Sequence, residues 1–111
     1  MDTIDHYRAI VRGLILDYAR YKPSHGDIET EAVIDSAQNH FELLRIGWDG
    51  QRRVHGAVIH IDIIGDKIWI QHDGTSSGVA DELVEAGIPR DAIVLGFRPP
   101  YVRQYSGFAL A

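Results

Sequence analysis

Cysteine is absent from this chain, which excludes disulfides, thiolate metal sites and thiol catalysis and fits a reducing compartment. Cationic side chains are also scarce: 11 lysines and arginines stand against 16 acidic residues, for a formal net charge of −5, and Lys22 and Lys67 are the only lysines. Non-specific affinity for phosphates rests on clustered Lys and Arg, so direct nucleic-acid binding is not expected. No apolar run approaches the roughly 18 to 20 residues of a membrane span. The opening Met1-Asp2-Thr3-Ile4-Asp5-His6 is too polar for a signal peptide. A cytoplasmic chain without membrane contact is the expectation. Internal repeats, linkers and composition breaks are missing as well, so residues 1–111 read as one domain. A hydrophobic fraction of 45% is close to the globular average and argues against disorder.

What is present is organised around Ala57 to Thr75, which reads as a β-hairpin. Two β-branched runs flank Gly65-Asp66, a pair suited to a two-residue loop. Such a loop sets a register in which Ile64 faces Lys67, Ile63 faces Ile68, Ile61 faces Ile70 and Ile59 faces His72. On the other face Asp62 opposes Trp69, His60 opposes Gln71 and Val58 opposes Asp73. One face is thus apolar, and the other carries His60, Asp62, Trp69, Gln71 and Asp73.

Asp5 to Tyr21 has the spacing of an amphipathic helix, with Tyr7, Ile10, Val11, Leu14, Tyr18 and Tyr21 on one side and Asp2 or Thr3 as its cap. Pro23, Ser24 and Gly26 end it. Ile28 to Asp35 has strand character, residues 35–39 are rich in turn formers, and His40 to Trp48 alternates as a second strand before Asp49-Gly50. After the hairpin, Thr75, Ser76 or Ser77 can cap a short helix running to about Ala86. Gly87 is placed for a left-handed C′ residue with Ile88 as its hydrophobic contact, and Pro89 follows. Ala92 to Gly96 is a short apolar run that reads as a strand or a buried connector. From Phe97 the chain becomes an extended tail with Pro99-Pro100, aromatics and arginines but no acid. The fold class is α+β: an N-terminal helix, about four antiparallel strands with a central hairpin, a second short helix and the tail, with the helices on the apolar face of the sheet.

Chemistry is harder to find. Six histidines invite a metal site, but the hairpin register places His72 opposite Ile59, away from His60, and His55 lies at the far end of the strand. Hydrogen bonding of His60 and Asp62 within the sheet is the simpler reading, and neither metal nor cofactor is expected. Asp62 with Asp66 and Lys67 resembles a magnesium-dependent nuclease set only in composition, because Asp66 and Lys67 are neighbours at a turn and point differently. A Gly-x-Ser-x-Gly element is absent, and Ser76 and Ser77 have no placed histidine. Thr75 to Gly78 suits helix capping better than anion binding, with Asp73 adjacent. No catalytic residue is therefore assigned. In the tail, Arg98, Pro99, Pro100, Tyr101, Arg103 and Tyr105 combine the residue types enriched in interface anchors with a stiffened backbone, which marks them as candidate partner contacts.

Gly47-Trp48, Ile59-His60-Ile61-Asp62-Ile63, Lys67-Ile68-Trp69-Ile70-Gln71, Asp73-Gly74-Thr75 and Ile93-Val94-Leu95-Gly96-Phe97, followed by Pro100, Arg103 and Phe108-Ala109, together resemble the XisI family of fdxN-element excision controlling factors. The resemblance spans nearly the whole chain. It departs at Ser76, Arg98 and Ser106-Gly107, positions that touch candidate partner surfaces. It implies a non-enzymatic accessory or controlling factor for excision of a DNA element, working with a XisH-like partner whose fold is similar to nucleases. A small-ligand binder or enzyme using the polar hairpin face is the alternative, and a homo-oligomer packing through the aromatic tail is a third reading.

Overall fold

The computed structural model describes residues 3–23 and 26–111. Asp2 and Ser24, expected to cap and to end the first helix, lie outside the described residues. Helix α1 spans Thr3–Ala19 and buries Tyr7, Val11 and Ile15, a 4-residue spacing that keeps one stripe against the sheet. Tyr21, expected on that stripe, lies beyond the helix and is 69% exposed.

Strands β1 (Asp27–Asp35), β2 (His40–Asp49), β3 (Arg52–Ile64) and β4 (Lys67–Asp73) form an antiparallel meander, and a fifth strand, β5 (Ile93–Leu95), adds to β4. The β5 pairing is parallel, with Ile68 opposite Ile93 and Ile70 opposite Leu95. The four antiparallel strands expected are β1 to β4; β5 is a further strand, and it is parallel because β4 and β5 are joined by helix α2 (Val79–Glu85) and a 3₁₀ turn, Arg90–Ala92, which is the long crossover a parallel pair requires. Helix α2 ends as its sequence indicates. The Gly87 amide donates to the Val84 carbonyl at 3.0 Å and the Ile88 amide to Leu83 at 3.1 Å, with Gly87 at φ 108° and Ile88 buried.

The core lies between the two helices and one face of the sheet. Phe41 and Leu43 of β2, Ile59, Ile61 and Ile63 of β3, Ile68 and Ile70 of β4, and Ile93 of β5 meet Val11 and Ile15 of α1 and Val79 and Leu83 of α2. The Tyr18 hydroxyl donates to Glu82 Oε2 at 2.6 Å and so joins the helices at their rim. Neither of these two helices packs on the opposite sheet face.

Two irregularities decide what that open face displays. Between β2 and β3 the register shifts after Leu43, so that Leu44 pairs with Ala57 while Leu43 pairs with Ile59, leaving Val58 as an extra residue. Continued without that shift, the Gly50 turn would set His40 opposite Ile61; with it, His40 faces Asp62 and Glu42 faces His60. Between β3 and β4 the expected pairs hold from Ile64–Lys67 to Ile61–Ile70, and then the register shifts. Gln71 becomes the extra residue, His60 pairs with His72 rather than Gln71, and Asp73 pairs with Ile59 rather than Val58.

The tail also departs from expectation. Pro99 and Pro100 start a short helix α3 (Pro100–Arg103), as proline's fixed φ allows at a first helical position, and the chain then turns back to the sheet. The Ala109 amide donates to the Ile93 carbonyl at 2.8 Å, and Phe108 packs on the core rim.

Candidate functional site

Alternation along β2 and β3 sends His40, Glu42, His60 and Asp62 to the open face, where the register makes them a two-by-two block. Each histidine lies opposite an acid, and the two histidines lie on a diagonal. His40 Nδ1 is 2.8 Å from Asp62 Oδ1 and His40 Nε2 is 3.2 Å from Glu42 Oε2. His60 Nε2 is 3.1 Å from Asp62 Oδ2, and His60 Nδ1 is 3.9 Å from Glu42 Oε1. The imidazole rings stand edge to face with centroids 4.7 Å apart. The four side chains retain between 23% and 34% of their exposure, so the block is reachable from solvent.

Ionised carboxylates only accept hydrogen bonds, so a His40 bonded to both acids donates from both ring nitrogens and carries a proton. Partial burial opposes that charge. The hydrogen bonds from His40 to Glu42 and Asp62, and the charges of both acids, outweigh burial and raise its pKa above the ordinary 6.5.

Trp69 and Gln71 of β4 flank the block on the same face. The Gln71 amide donates to Asp62 Oδ2 at 3.3 Å, so Gln71 still reaches Asp62 although it no longer opposes His60. The guanidinium of Arg103 covers the Trp69 ring at 5.1 Å. Four of the five residues expected on the polar hairpin face, His60, Asp62, Trp69 and Gln71, are therefore gathered there.

Asp73 is not among them. The extra residue at Gln71 turns it to the core side, where its carboxylate accepts from the Thr75 amide at 2.9 Å, the Thr75 hydroxyl at 2.6 Å and the Val79 amide at 2.9 Å. Asp73 thereby does the work expected of Ser76 or Ser77 at the start of α2, while Thr75 Oγ1 accepts from the Gly78 amide.

Sequence reasoning passed over His40 and Glu42. Their signal was the repeated spacing: His-Phe-Glu at 40–42 and His-Ile-Asp at 60–62 both alternate polar with apolar, as two strands sharing one face would.

The tail residues divide into two groups. Phe97, Tyr101 and Tyr105 are 42%, 74% and 82% exposed, and Arg98 lies 5.3 Å over the Phe97 ring. Pro99 and Pro100 are exposed beside them. Arg103 instead points inward, its Nε donating to the Leu95 and Arg98 carbonyls at 3.3 and 3.0 Å and its Nη1 to Leu110 at 3.3 Å. It fastens the tail to the sheet. A second apolar feature sits at the opposite end of the open face, where Leu44 and Ile46 are half-buried and Trp48 is 50% exposed under Arg53.

Comparison with known proteins adds the following. The family model described as XisI protein matches residues 1–110. The crystal structure of a XisI-like protein from Anabaena variabilis ATCC 29413 superposes with a TM-score of 0.90 at 39% identity, covering 97% of this chain and 99% of that one. The crystal structure of the fdxN element excision controlling factor XisI from the same organism superposes with a TM-score of 0.86 at 33% identity, covering 99% of this chain and 100% of that one. Among curated proteins there is no match.

Proposed function

The chain belongs to the XisI protein family, and on that footing we propose that it is a non-enzymatic accessory factor for excision of a DNA element, acting through contact with a XisH-like, nuclease-fold partner. The observation that carries this reading is the full-length similarity to a protein described as an excision controlling factor, a description of control rather than of cutting. The charge distribution supports the same division of labour. With a net charge of −5 the chain has little general affinity for phosphates, which leaves DNA contact to the partner.

The surface chemistry supports a docking site on the tail. Tyr101 stands out from a short helix whose entry is stiffened by Pro99 and Pro100, and Tyr105 from the turn that follows it. Rigid aromatic anchors of this kind lose little conformational entropy on binding and dominate interface energetics. The Arg98 side chain, its guanidinium over the Phe97 ring, sits beside them while its carbonyl accepts from Arg103. The open sheet face carrying His60, Asp62, Trp69 and Gln71 lies alongside through the Arg103–Trp69 stack, so one partner surface can span both.

Co-expression of the chain with the XisH-like protein, followed by tandem affinity purification and light scattering, tests the reading. A stoichiometric complex is expected from the wild type, with yield falling at least tenfold for Tyr101→Ala/Tyr105→Ala. Failure of two folded proteins to associate at micromolar concentration contradicts it. A complex unaffected by the double substitution moves the contact off the tail.

A further inference from the structure

We propose that His40, His60 and Asp62 form a divalent-metal site on the open sheet face, with zinc as its best-matched ion. One ligand atom from each residue lies within 4.8 Å of the others. His40 Nδ1 lies 2.8 Å from Asp62 Oδ1 and His60 Nε2 lies 3.1 Å from Asp62 Oδ2, so each imidazole approaches a different oxygen of the one carboxylate, near the ligand–ligand spacing of about 3.3 Å that tetrahedral metal–ligand distances of about 2.0–2.1 Å imply. With its ligand atoms within 4.8 Å of one another the set is more open than that spacing, and rotations of partly exposed side chains close it.

The strongest support comes from the groups behind the ligands. A metal-bound histidine typically donates its other ring N–H to a carboxylate, which fixes its tautomer and orientation. With Nδ1 of His40 on the metal, Nε2 is left facing Glu42 Oε2 at 3.2 Å. With Nε2 of His60 on the metal, Nδ1 is left on the side of Glu42 Oε1 at 3.9 Å. Glu42 therefore backs the His40 imidazole and stands on the side of the His60 ring nitrogen left free, and the Gln71 amide steadies Asp62 from the other strand at 3.3 Å. His40, Glu42, His60 and Asp62 project from directly paired positions of β2 and β3, so their arrangement is held by backbone register rather than by a loop.

Two imidazoles and one carboxylate suit zinc and its late first-row neighbours, while calcium and magnesium favour all-oxygen sets. Solvent exposure leaves the fourth position to water. Binding replaces the proton that the His40–Asp62 pair otherwise shares, so the metal-free block is already a satisfied set of hydrogen bonds. This inference stands apart from the partner-binding reading, since it needs only the isolated chain.

The test uses the chelator-stripped full-length protein and zinc chloride in isothermal titration calorimetry at pH 7.5. One ion per chain is expected at low micromolar or tighter Kd, with affinity falling at least tenfold in His60→Gln and in Asp62→Asn and unchanged in His6→Gln on the far helix. Circular dichroism of each variant establishes that it is folded. If the variants fail that control, histidine side-chain NMR of the wild type decides: zinc must shift the His40 and His60 rings first among the histidines. Absence of saturable binding below 100 micromolar zinc overturns the site, as does binding that survives His60→Gln or that shifts other histidines first.

Discussion

At the scale of single residues, His40 and Asp73 show how much one carboxylate contact can decide. His40 faces Asp35 of β1 in register, Glu42 on its own strand, and His60 and Asp62 of β3. Its folded-state pKa is raised, so the proton it holds stabilises the fold in full below the ordinary value of 6.5, and that contribution is lost as pH rises through the higher folded value. Urea denaturation of the metal-free protein between pH 6 and 8.5 should therefore show stability declining more steeply in the wild type than in His40→Gln; parallel profiles would contradict the assignment. Asp73 carries a different load. Its carboxylate accepts from two backbone amides and the Thr75 hydroxyl, and Asp73→Ala leaves the start of α2 without them. A loss of about 2 kcal/mol in unfolding free energy is expected, at the upper end of helix-capping effects.

Among the elements, legibility in the sequence tracked how local the determining chemistry was. The hairpin around Gly65-Asp66 and the end of α2 at Gly87 rest on neighbours within a few residues, and the structure matches both. The register beyond Ile61 depends on an extra residue at Gln71, which no turn residue announces, because glutamine is no more a bulge former than its neighbours. That single insertion separated Asp73 from the polar face on which alternation placed it. The parallel pairing of β5 was hidden for another reason: three residues, Ile93 to Leu95, carry too little periodicity to state a direction. The candidate site was half visible, since His60 and Asp62 belonged to the recognised hairpin while His40 and Glu42 arrive through a long-range register that depends on the extra residue at Val58.

Close approach of strands supplies the prediction at this level. A Cβ built on Gly47 would lie 2.0 Å from the Asp27 carbonyl oxygen, backbone of a paired strand that cannot yield without opening the β1–β2 ladder. Gly47→Ala should cost about 3 kcal/mol, the cost of marked overpacking. Gly13 on the exposed side of α1 has nothing within 4 Å, and Gly13→Ala should raise stability by about 0.5–1 kcal/mol through helix propensity and backbone entropy. Chemical denaturation of the two variants beside the wild type measures both, and a tolerated Gly47→Ala would show that β1 pairs differently.

For the molecule as a whole, the fold separates two tasks between two sides of one sheet. Helices α1 and α2 cover the apolar face and supply stability. The other face presents histidines, acids and aromatics, with Arg103 of the tail lying over Trp69 at its border. The net charge of −5 disfavours general affinity for phosphates. No helix among the described residues is long and apolar enough to cross a membrane. The most direct measurement of the partner-binding account is a titration of the purified XisH-like protein with this chain, monitored by calorimetry at 150 mM salt. The account predicts saturable binding with a Kd in the micromolar range or tighter and at least a tenfold weakening for Tyr101→Ala/Tyr105→Ala. The absence of saturable binding between two demonstrably folded proteins would contradict it.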